Sequence, residues 1–206
     1  MLEYLAMLVI EWLVVFGINV IPAFAPPTWM LLSFVYIAYP QDIFVLIIVG
    51  ATASTCGRYV LAKASGMATQ KLSNSERKEQ LSLLKERLDA RPRGKFLFAF
   101  LFALGPLPSN TLFIVAGATR VRLKEILAGF FIGRLLSYLF LTYTTQKVFT
   151  SVAATAEGTA NLFTIVIEII GVLSIIAFFK FDWEKLIWSM GGKDKETPVK
   201  WKQKKH

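Results

Sequence analysis

Two apolar stretches of this chain are interrupted by paired prolines, PAFAPP at 22–27 and GPLPSN at 105–110. Proline removes a backbone donor and clashes with the preceding helical turn. At membrane depth such a break survives only where other protein or a water-filled cavity satisfies the freed backbone. The membrane setting follows from composition. Of 206 residues, 55% are hydrophobic, where a soluble domain is roughly 45–50% apolar even with glycine counted. One small core cannot bury that excess, so the expected fold class is an all-α polytopic membrane protein.

A helix needs about 20 apolar residues to cross a bilayer. Runs at 5–21, 42–64, 125–145 and 161–179 meet that length and give about four spans. The first lacks a basic leader and a small-residue cleavage site, so it reads as a span rather than a cleavable signal. The broken stretches, 22–39 and 95–119, read as two re-entrant helical hairpins. The alternative is that the prolines merely kink ordinary spans.

Basic residues set the topology. Residues 1–57 hold no Lys or Arg, 58–95 hold ten, and 180–206 hold eight. The 63–95 segment and the C-terminus are therefore expected in the cytoplasm. The second hairpin has Arg91, Arg93 and Lys95 before it and Arg120, Arg122 and Lys124 after it. Both its ends face the cytoplasm, while the first hairpin, with no cation near it, enters from outside. Two hairpins dipping from opposite faces, each followed by a span, form an inverted repeat, an arrangement common in transporters. The halves run 1–66 and 95–180, joined by a cytoplasmic linker at 67–94 and followed by a basic tail at 181–206. Within the linker a helix is expected from Glu76 to about Ala90, capped by Ser73 or Ser75.

The formal charge of +9 sits in blocks between apolar runs, so it reads as membrane topology and not as a nucleic-acid surface. One cysteine, Cys56, excludes a disulfide framework, and one histidine, His206, excludes a catalytic triad or a His-ligated metal. No cofactor, metal or enzymatic activity is expected.

The motif GATASTCGRYVLAKASG at 50–66 and the order of motifs after it resemble the DedA, or VTT-domain, family, which includes SNARE-associated Golgi-protein relatives. Gly50-Ala51, Tyr59, Lys63 and Gly66 fall in register, as do Pro26, Pro106, Ala116-Gly117 and Ile132-Gly133. The resemblance covers roughly 19–140. It implies two opposed re-entrant hairpins and a lipid-handling role: polyprenyl-phosphate or phospholipid flippases among bacterial members, scramblases among eukaryotic ones. Bacterial members carry acids at the positions of Asn19, Thr28 and Thr55 and arginines at those of Ala103 and Ser109. All five are neutral here, which argues against proton coupling through the usual carboxylates and for passive scrambling.

Arg134 and Arg58 carry the charges suited to a lipid phosphate, since a guanidinium fork matches phosphate oxygens. Arg58 could equally snorkel from the last turns of its span. Arg134 near mid-span needs a partner. Phosphate is one, and Glu11 or Glu168 is the other, either carboxylate also being a candidate proton relay. Asn19, Pro26, Pro27, Thr28, Pro106, Pro108, Ser109 and Asn110 lie at the hairpin breaks. There the polar ones either satisfy freed backbone groups or meet a headgroup between the tips. The expected function is a flippase or scramblase for phospholipid or polyprenyl phosphate. The alternatives are a small-solute or ion exporter and a non-transporting assembly factor. Partners are the lipid and, possibly in number, further copies of the chain. The expected location is the plasma membrane for a prokaryotic source, with the endoplasmic reticulum second.

Overall fold

The structure is a computed structural model of the whole chain. It describes residues 2–22, 26–39, 41–72, 91–105, 109–157 and 162–182, together with Leu81, Ser82, Lys85 and Asp89. Seven helices follow in order among the described residues: α1 (Leu2–Val20), α2 (Thr28–Ala38), α3 (Ile43–Leu72), α4 (Pro92–Leu104), α5 (Ser109–Thr119), α6 (Lys124–Ala156) and α7 (Leu162–Lys180). Three of them, α1, α3 and α6, are long and apolar enough to cross a membrane. This is an all-α protein of the integral membrane type. Leu5, Val9 and Leu13 on α1, Phe44 and Ile48 on α3, Leu136 and Phe140 on α6, and Ile169 and Leu173 on α7 all face outward. An apolar exterior of that extent suits lipid and not water.

The helix boundaries have local causes. The Asp42 carboxylate accepts from the N–H groups of Phe44 and Val45 at 2.8 and 3.1 Å, capping α3. Pro92 opens α4 at a position where its missing donor costs nothing. α5 ends at Thr119, and Arg120 takes a positive φ of 54°, a left-handed residue of the kind that terminates helices.

The long helices α3 and α6 pack on each other, and each gathers two shorter neighbours. α3 takes α1 and α5, while α6 takes α4 and α2. Small residues make these contacts close. A Cβ on Gly57 would lie 2.8 Å from both the Phe16 carbonyl oxygen and Asn19 Cβ of α1. A Cβ on Gly133 would lie 2.6 Å from the Phe100 carbonyl oxygen and 2.8 Å from Ala103 Cβ of α4. Gly117 of α5 rests on the Ala62 backbone of α3, and Gly129 of α6 on that of Phe96. Such contacts drive helix association where lipid removes the hydrophobic incentive. α7 lies along α6, with Phe178 5.4 Å from Phe140.

Two buried clusters result. One joins Leu61, Ala62, Ala99, Phe113, Ile126 and Phe130. The other joins Val15, Leu32, Leu46, Ile47, Ala53 and Tyr138.

The structure differs from the sequence reading in two places. The stretch 22–39 holds one helix, α2, so it is not a two-armed hairpin on its own. Its break lies before α2, between it and α1. Arg58 is not in the last turns of its helix, because α3 continues to Leu72 through Lys63, Ser65 and Gly66. Most of the expected linker helix and the tail from Trp183 lie outside the described residues, although Leu81, Ser82, Lys85 and Asp89 are helical.

Candidate functional site

The site is built where the two clusters meet. On α6, Phe130 belongs to the first cluster and Tyr138 to the second, and Arg134 stands one turn from each. Its guanidinium carbon lies 5.1 Å from the Phe130 ring centre and 5.5 Å from that of Tyr138, at cation–π range. On α3, Arg58 falls between Ala53 of the second cluster and Leu61 of the first. It is only 7% exposed. Arg58 and Arg134 are close enough for each to feel the other's charge, and Tyr138 lies within the same reach of Arg58.

Each arginine holds one end of a broken segment. Arg58 Nη1 donates to the Asn19 carbonyl oxygen at 3.2 Å, in the last turn of α1. Arg134 Nη2 donates to Ser109 Oγ at 3.2 Å, the first residue of α5. Asn19, 2% exposed, donates from Nδ2 to the Val15 carbonyl at 2.8 Å and to Thr28 Oγ1 at 3.1 Å, which ties α1 to α2 across the break. Asn110 Nδ2 reaches the Pro22 carbonyl at 3.4 Å, linking the two breaks to each other. Ser137 Oγ donates to the Ala103 carbonyl at 3.3 Å. Sequence-identified polar residues of both breaks thus converge on the arginine pair. Pro26 and Pro27 are exposed beside them. Pro106 and Pro108 lie outside the described residues.

The charge is unbalanced. Among the described residues neither arginine has an ion-pair partner, and Nε of each is buried without a hydrogen bond. Glu11, 5% exposed, faces the Gln41 side chain and not Arg134. Glu168 lies on α7, its side chain outside the described residues. Arg58 is buried and Arg134 half-buried, so the two like charges repel and are costly to desolvate.

A second set of polar groups escaped sequence reasoning. Arg134, Tyr138, Thr142 and Thr145 fall at i, i+4, i+8 and i+11 on α6, one helical face. Tyr138 Oη, Thr142 Oγ1 and Thr145 Oγ1 are buried and unpartnered, as are both side-chain polar atoms of Gln41. The signal was the polar stripe within an otherwise apolar run. Beyond it a cavity of about 230 Å³ opens, lined by Tyr36, Gln41, Gln146 and Thr150.

At the cytoplasm-expected end, Lys95 Nζ lies 2.7 Å from Asp89 and 3.3 Å from Glu125 and donates to the Arg122 carbonyl at 3.2 Å. The Arg122 N–H donates to Asp89 at 2.9 Å. Burial acts to raise the Asp89 carboxyl, but the Lys95 and Arg122 hydrogen bonds and charges outweigh it and hold it below the ordinary carboxylate range.

No curated protein and no solved structure matches the chain. Residues 11–147, well over half of it, match the VTT domain, and they contain α1 from Glu11 onward, both breaks, the arginine pair and the unpartnered stripe of α6. The chain belongs to the VTT-domain family, the DedA and SNARE-associated Golgi-protein group of membrane proteins.

Proposed function

We propose that the protein moves phosphate-bearing lipids between leaflets, with the headgroup held at Arg58 and Arg134. The observation that carries this reading is the pair itself: two guanidiniums within range of each other's charge at the seam of the molecule, with unused donors and no acid paired to either among the described residues. A phosphate between them would relieve their repulsion and accept their spare hydrogen bonds. Helix lengths support the path. At 1.5 Å per residue, α2, α4 and α5 reach about 16–20 Å, short of the ~30 Å hydrocarbon core. They act as re-entrant segments, α2 from one face and α4–α5 from the other, related as an inverted repeat. The exchange of arms between α3 and α6 fits that symmetry. Transport is passive and the protein is not an enzyme. For a prokaryotic source it resides in the plasma membrane, with its C-terminus in the cytoplasm.

Reconstitution in liposomes with fluorescent phospholipid in both leaflets tests this. Dithionite bleaching of the inner-leaflet label reports scrambling. Arg58→Gln and Arg134→Gln should each slow it by about tenfold or more, the worth of one charge-assisted hydrogen bond. The double variant should be little worse, because both residues hold one phosphate. Wild-type scrambling in the double variant would overturn the reading, as would a requirement for an imposed proton gradient overturn passive transport.

A further inference from the structure

Glu11 is the one acid that the described structure buries within the helical bundle and leaves without a cation. The Gln41 amide lies near enough to interact with it, but no well-formed hydrogen bond satisfies either carboxylate oxygen or either polar atom of that amide. An ionised carboxylate in such a place carries a desolvation cost that is normally met by a counter-charge. The groups around it are oxygen-rich. Val15 lies one turn from Glu11 on α1 and packs in one cluster with Tyr138 of α6. Thr142 lies one turn from Tyr138 on the same helix. Gln41 lines one cavity with Gln146 of α6, one turn from Thr142. Thr142 is fully buried, yet its hydroxyl bonds to nothing. A buried carboxylate, amide and hydroxyl without well-formed hydrogen bonds in this part of the bundle are poor packing but a serviceable ligand set.

We propose that Glu11, Gln41 and Thr142, with Thr145 behind them, form a site for one monovalent cation, sodium or a proton, that neutralises Glu11. Sodium is a hard ion suited to carboxylate, amide and hydroxyl oxygens. A proton would instead make Glu11 a donor to the Gln41 carbonyl. The other charged or titratable groups on the packed elements are Arg58 on α3 and Asp42 before it, Tyr36 on α2, and Arg134, Tyr138, Tyr143 and Lys147 on α6. Asp42 is occupied capping α3, Arg134 bonds Ser109, Arg58 bonds Asn19, and Lys147 lies over Tyr143. None pairs with Glu11. The site lies apart from the arginine pair and does not depend on what the pair binds.

Thermal unfolding of the purified full chain in detergent tests the proposal without any lipid assay. Two conditions vary independently: pH from 8 to 6 in N-methylglucamine chloride, and sodium replacing N-methylglucamine at pH 8. A rise in Tm of about 3 °C, of the size that a roughly tenfold preference for the neutralised form gives a chain of this length, is expected in at least one arm. Sodium binding gives a saturable rise in the sodium arm that Thr142→Val abolishes. Proton binding gives a rise in the pH arm that Thr142→Val leaves intact. Glu11→Gln should be flat in the responding arm and as stable as the neutralised wild type. If Glu11→Gln does not fold, the Thr142→Val comparison and the wild-type responses still decide. A wild type flat in both arms, or a response that Glu11→Gln retains, overturns the site.

Discussion

Arg58 bonds the backbone carbonyl of Asn19 at 3.2 Å, thirty-nine residues away in sequence, and the residue just before it makes that approach possible. Gly57 lies against Asn19 Cβ and the Phe16 carbonyl. The second half repeats the device, with Gly133 against Phe100 and Ala103 and Arg134 bonded to Ser109. In each half a glycine sets the interhelical distance and the next residue spends it on a polar contact near a chain break.

Adding a methyl at either glycine should therefore push α1 or α4 away. Gly57→Ala and Gly133→Ala meet backbone, which cannot swing aside, so each should cost about 1–3 kcal/mol. Gly17→Ala is the control. Its Cβ would meet nothing within 4 Å, and alanine is the better helix former by about 1 kcal/mol. Thermal melts in detergent should rank Gly17→Ala at or above wild type and the other two well below. Equal melts for all three would show that α1 and α4 are not held at these distances.

Much of this arrangement was legible in the sequence. Paired prolines located the breaks, since no helix continues through them, and the Gly-Arg pairs at 57–58 and 133–134 marked equivalent points of two halves. The depth of Arg58 was not legible. Its span looked finished near Ala64 because hydropathy fades there, but the helix continues while its small residues, Ala62 and Gly66, pack on Gly117. The partner of Glu11 was equally hidden. Gln41 sits just before a capping aspartate and reads locally as loop, and only the packing of α1 on α3 brings the two together.

Asn19 offers a sharper test of the lipid reading. Its amide donates to a carbonyl and to Thr28, so the Arg58 side of the site holds no internal anion. Asn19→Asp would place a carboxylate beside Arg58, a partner in permanent competition with a lipid phosphate. Scrambling should fall by about tenfold, as for loss of a charge-assisted hydrogen bond, and the melting temperature should fall too, because a carboxylate cannot donate to the Val15 carbonyl. Unchanged scrambling in Asn19→Asp would mean that Arg58 does not handle the headgroup.

The Lys95 cluster predicts a pH dependence of definite sign. The folded Asp89 carboxyl titrates below its ordinary value of about 3.9, so the unfolded chain binds the proton first as pH falls. Its contribution is complete above about pH 4 and is lost as pH falls through the folded value. Lys95→Met should remove it at every pH, leaving Asp89 and Glu125 together without their cation. Breaking a buried pair from one side costs about 3–5 kcal/mol, and solvent at Asp89 and Glu125 brings the expected loss to about 1–3 kcal/mol. Melts of wild type and Lys95→Met should converge once the pH falls below the folded Asp89 value and separate at pH 7. A constant gap would show that Lys95 stabilises by packing alone.

The topology itself is testable through cysteine labelling. Cys56 is exposed on α3, so the background is Cys56→Ala. Arg93 and Arg122 flank the α4–α5 segment, and both side chains are exposed. Arg122→Cys keeps the backbone N–H that serves Asp89, and Arg93 takes no part in that cluster. If α4 and α5 form one re-entrant hairpin, an impermeant maleimide should reach both positions from the cytoplasmic side of sealed vesicles and neither from the opposite side. A true span would put them on opposite sides. At about 20 and 17 Å, α4 and α5 could then cross only as one bent helix, which the extended backbone at Gly105 and the tie from Asn110 to Pro22 oppose. Labelling of positions 93 and 122 from opposite faces would therefore remove the inverted repeat and, with it, the meeting of two breaks on which the lipid path rests.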